Sequence, residues 1–62
     1  MRFVVLKTVD GLWHWELRET DGVVVAKSSV QYPDRAAVVS ALLKVQSTAP
    51  KSLVFDLLGN LV

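Results

Sequence analysis

Between Leu12 and Glu19 the chain alternates: Trp13, Trp15 and Leu17 point one way, His14, Glu16 and Arg18 the other. A period of two is the signature of a strand with one face toward a core. The run from Arg2 to Lys7 is β-branched and aromatic and too short for a helix, so it also reads as a strand. Asp10-Gly11 and Asp21-Gly22 are turn signals, and the valines from Val23 onward supply a third strand. The pattern predicts strands near residues 2–8, 12–19 and 23–28, joined as an antiparallel meander.

Turn length decides which side chains share a face, because a one-residue slip flips the whole set. Two-residue loops would set Phe3 and Val5 beside Glu16 and Arg18. Three-residue loops, with a type I turn and glycine in the left-handed region, place Phe3, Val5, Trp13, Trp15, Leu17, Val23 and Val25 together. That register segregates the large apolar groups and is the one expected. The other face then carries Val4, Leu6, His14, Glu16, Arg18, Val24 and Ala26.

Tyr32-Pro33-Asp34 opens a helix expected near residues 34–46, with proline in the first turn and Asp34 where the helix dipole favours an anion. At about 100° per residue, Val38, Ala41, Leu42 and Val45 form one apolar stripe, and Ala36, Val39 and Leu43 a second. One sheet face can cover only one of them. Ala49-Pro50 ends the segment, residues 53–58 read as a fourth strand containing Phe55, and Gly59-Asn60 marks a turn or a fraying end. The fold class is therefore α+β: a three-stranded antiparallel meander, one helix packed across it, and a short C-terminal strand. The whole is a single domain over residues 1–62.

Composition sharpens this. A chain of 62 residues buries only about 60% of its unfolded surface, and scaffolds this small usually add a disulfide, a metal or a partner subunit. With no cysteine and one histidine, the first two are excluded or disfavoured. The apolar fraction of 52% suits a subunit that covers part of its surface with a copy of itself. A net charge of +1 gives no electrostatic case for nucleic acid. No apolar run approaches the ~20 residues of a membrane span. The apolar run after Arg2 is too short for a secretion signal, so a cytoplasmic location is expected.

Candidate chemistry is sparse. His14 as a general base would need a partner and a pocket, and its parity puts it on the solvent side of its strand. Trp13 and Trp15 could stack bases, but such platforms are flanked by lysine and arginine, and Glu16 stands between them. Packing against the helix explains them better. Asp10, Asp21 and Asp34 fit turn and helix-start roles. Ser28-Ser29 has no neighbouring base, and three glycines at turns make no phosphate loop. No catalytic, cofactor or metal site is expected. His14, Arg18, Tyr32 and Arg35 remain as ligand-contact candidates.

The ordered set Phe3, Gly11, Trp13, Trp15, Leu17, Asp21-Gly22, Val25, Ser28 and Tyr32, with a helix holding Ala36, Ala37 and Val45, resembles the YegP-like family of small domains of unknown function. The resemblance spans nearly the whole chain. It implies a three-stranded antiparallel sheet, a helix across it and a further C-terminal strand. It also implies either tandem repeats or single-repeat homodimers, and this chain has one repeat. Where members carry Asn before Gly at the second turn, this chain has Asp21. Where members carry basic residues between the strand-two aromatics, it has His14 and Glu16.

The leading expectation is a non-enzymatic homodimer acting through protein–protein contact with an unknown protein partner. Ala36, Val39, Leu43, Leu53 and Phe55 are the interface candidates. One alternative is a nucleic-acid-binding module using the sheet face. Another is a small-ligand binder or enzyme with a site at the dimer seam.

Overall fold

A computed structural model describes residues 1–62. The chain forms strands β1 (Arg2–Lys7), β2 (Trp13–Arg18) and β3 (Val24–Lys27), then helix α1 (Arg35–Thr48) and a 3₁₀ turn at Ala49–Lys51. The strands make one antiparallel sheet in the order β1-β2-β3.

Both hairpin loops hold three residues. Thr8 N–H bonds Leu12 O at 2.7 Å around Val9-Asp10-Gly11, and Glu19 N–H bonds Val23 O at 2.9 Å around Thr20-Asp21-Gly22. Gly11 and Gly22 sit at φ +84° and +93°, the left-handed conformation that closes this loop type. The resulting register sets Phe3 opposite Leu17 and Val5 opposite Trp15, as the three-residue loops require.

The third strand departs from the expected register. Arg18 pairs with Val24, but Leu17 pairs with Ala26, so Val25 is the extra residue of a bulge. Ala26, not Val25, therefore joins the aromatic face. Without the bulge Lys27 would stand opposite Trp15 on that face. With it, Lys27 stands opposite Glu16, and Ser28 is tied to the Trp15 backbone, donating its N–H to Trp15 O and accepting the Trp15 N–H at its hydroxyl oxygen.

Helix α1 is capped by Asp34, whose carboxylate accepts the Ala37 N–H at 2.7 Å. The helix runs two residues past the expected end. It packs on β2 and β1 and leaves β3 uncovered. Val38 and Leu42, from the stripe expected to face the sheet, are the only buried residues of the chain. Trp15 and Leu17, expected to be buried, are half-buried, because one helix spans only part of the sheet.

The C-terminal segment forms no strand of the sheet. Residues 54–62 fold back on themselves with a single bridge between Phe55 and Leu61. Asp56 breaks the expected strand: its carboxylate accepts from Leu58 N–H at 2.9 Å and Asn60 N–H at 3.0 Å, and Gly59 closes the turn at φ +83°. Every residue from Gln46 onward is exposed. The radius of gyration is 13.5 Å, against about 10.6 Å for a compact chain of this length.

Candidate functional site

The pleat of β2 sends His14, Glu16 and Arg18 to the face opposite Trp13, Trp15 and Leu17. There they form a polar row. Arg18 donates from Nε at 2.9 Å and from Nη2 at 2.5 Å to Glu16 Oε1. His14 Nε2 lies 3.3 Å from Glu16 Oε2. The Arg18 guanidinium, with a smaller contribution from His14, holds the Glu16 carboxyl below its ordinary pKa. Asp10 is also lowered, first by the Thr8 hydroxyl and then by the Leu12 N–H, but its work is to close the first loop.

Beside this row lies a hollow of about 480 Å³, lined by Thr8, His14, Glu16, Lys27, Ser28, Ser29, Val30 and Gln31. Lys27 enters it because of the bulge. Ser28, Ser29 and Gln31 follow on the segment leaving β3. A period-2 reading does not reveal this gathering, since it needs the displaced residue at Val25. A second hollow, about 380 Å³, lies between Met1 and the Glu19-Thr20-Asp21 turn. It offers two carboxylates and no convergent set of side-chain donors.

The ligand-contact candidates divide between the two faces. His14 and Arg18 share the polar row. Tyr32 does not join them: its N–H and O exchange hydrogen bonds with Trp13, at 2.7 and 2.8 Å, so it belongs to the aromatic face. Arg35 begins the helix, exposed and without an ion pair. The Lys7 ammonium lies 6.0 Å from the Trp13 ring centroid.

The interface candidates lie on uncovered surface, with one exception. Leu43, Leu53 and Phe55 are 54%, 69% and 56% exposed, and Ala36 is exposed too. Val39 is half-buried. No three His, Asp or Glu side chains gather as a metal site, and no helix is long and apolar enough to cross a membrane.

Among solved structures, the chain is similar to a protein from Haloferax volcanii determined in solution by NMR. The two share 22% identity and a TM-score of 0.79, over 89% of this chain and 92% of that one. At that identity the likeness establishes the fold. No curated protein matches the sequence. Residues 9–56 match a family described as a domain of unknown function, DUF1508. That stretch holds both Asp-Gly loops, the paired tryptophans, the bulged third strand and the whole helix, and on it the chain belongs to the DUF1508 family of small YegP-like domains.

Proposed function

We propose that the chain is a small non-enzymatic protein that works as a two-fold homodimer and acts through protein–protein contact. The observation that carries this reading is the surface one copy leaves uncovered. Its accessible area is 4911 Å², whereas a folded monomer of 6.9 kDa should expose about 4000 Å². The excess of about 900 Å² is close to the ~800 Å² that each partner contributes to a standard interface.

The excess is apolar where it is most extended. Phe55, Leu57, Leu58 and Leu61 stand in the C-terminal hairpin, Leu53 just before it, and Leu43 on the free side of the helix. A core of two buried residues, of which only Val38 is fully enclosed, is thin for an independent domain, and a second copy would supply what it lacks. A cytoplasmic setting suits a chain without cysteine. Sedimentation equilibrium at low micromolar concentration tests the reading. A dimer mass supports it, and a monomer mass over the whole concentration range overturns it.

A further inference from the structure

Glu16 is the only carboxylate in the hollow between β2 and the segment after β3, and its charge is already engaged. Arg18 holds one oxygen with two hydrogen bonds, and His14 lies against the other. Lys27 is Glu16's partner in the ladder, yet it makes no ion pair. An ammonium without a counter-ion thus borders a hollow in which seven of eight lining residues are polar.

Donors surround that charge. The Ser28 oxygen accepts the Trp15 N–H at 3.3 Å, which leaves the hydroxyl hydrogen free to donate. Ser29 and Gln31 make no side-chain hydrogen bond within the chain and line the same hollow. The geometry points to a binding site here for a small phosphate-bearing molecule. Lys27 supplies the charge, and Ser28, Ser29 and Gln31 supply the hydrogen bonds.

The chemistry fits on three counts. Lysine binds phosphate as a point charge, and hydroxyl and amide donors suit its spread of oxygens. The hollow's volume, about 480 Å³, lies within the ~300–1,000 Å³ typical of small-ligand sites. Val30 is its only apolar wall, so it favours a hydrophilic ligand over an apolar one. Arg18 acts as a positioning residue, because it keeps the Glu16 carboxylate from repelling the anion. All these residues belong to one chain, so the site stands or falls independently of the dimer.

The test is a titration of isotope-labelled full-length protein with inorganic phosphate and, separately, with glycerol phosphate, followed by amide NMR at constant ionic strength. Saturable shifts at His14 and Lys27 through Gln31 are expected. Lys27→Met should weaken binding roughly tenfold, the loss of one charge-assisted contact, and Ser29→Ala by less. Glu16→Gln should tighten binding, and Arg18→Met should weaken it although Arg18 does not line the hollow. Three results overturn the site: no saturable shift, equal affinity in Lys27→Met, or shifts scattered over Lys7, Lys44 and Lys51, which would mean an adventitious ion only.

Discussion

The Phe3 ring meets the Trp15 indole edge to face, with centroids 5.7 Å apart and planes at 77°. The two are diagonal neighbours across β1 and β2, since Phe3 pairs with Leu17 and Val5 with Trp15. This contact joins the first strand to the aromatic row that the helix covers. Trp15 is half-buried, so Trp15→Ala should cost about 2–3 kcal/mol, less than the 3–5 of a fully packed ring. In a domain this small that lowers Tm by roughly 10–20 °C. Thermal unfolding by circular dichroism measures it, and an unchanged midpoint would mean that the ring contributes no packing.

Acid should weaken the fold through Glu16. Its carboxyl pKa is depressed in the folded chain, chiefly by the hydrogen bonds from Arg18. A depressed carboxylate contributes stability that is present above its unfolded pKa and lost as pH falls through the folded one. Midpoints should therefore drop as the pH falls below the ordinary carboxylate range and on through the depressed folded value. Asp10 is lowered too and adds to the same slope. Arg18→Met should flatten the Glu16 part, and added salt should reduce it. A variant that keeps the wild-type slope would place the acid sensitivity elsewhere.

Gly22 stands at φ +93° with open space where a side chain would project. Gly22→Ala should thus destabilise by backbone strain alone, about 1–2 kcal/mol, and Gly22→Asn by less, because asparagine tolerates the left-handed region. Chemical denaturation of the three proteins gives the order. Equal stability of Ala and Asn would point to a loop that has relaxed out of this conformation.

The same loops explain what the sequence made legible. Asp10-Gly11 and Asp21-Gly22 are local signals, and requiring the apolar residues to segregate chose between loop lengths; together they set β1 on β2 correctly. The helix was legible because Val38, Ala41, Leu42 and Val45 recur at its period. The bulge was not, because moving Val25 aside to take Lys27 off the aromatic face is a tertiary choice with no period of its own. With it went the hollow that gathers Lys27, Ser28, Ser29 and Gln31 near His14. The C-terminal strand failed for a different reason. A run rich in leucine and valine reads as strand, but Asp56 bonds two N–H groups of its own turn, and the segment bridges to itself at Phe55 and Leu61 instead of joining either outer strand of the sheet.

That hairpin and the free side of the helix make separable claims on a dimer interface. Both carry exposed leucines, but Val39 is already half-covered within one chain, so the helix has less left to bury. The hairpin has no such cover, and its apolar residues extend the chain beyond the size of a compact domain. Phe55→Asp should therefore weaken association more than Leu43→Asp. A dimer's unfolding midpoint rises with protein concentration, whereas a monomer's does not. Wild type should show that rise, Leu43→Asp a reduced one, and Phe55→Asp none in the low micromolar range. Loss of the rise in Leu43→Asp with its retention in Phe55→Asp would move the interface to the helix. Retention in both would exclude these two residues from it.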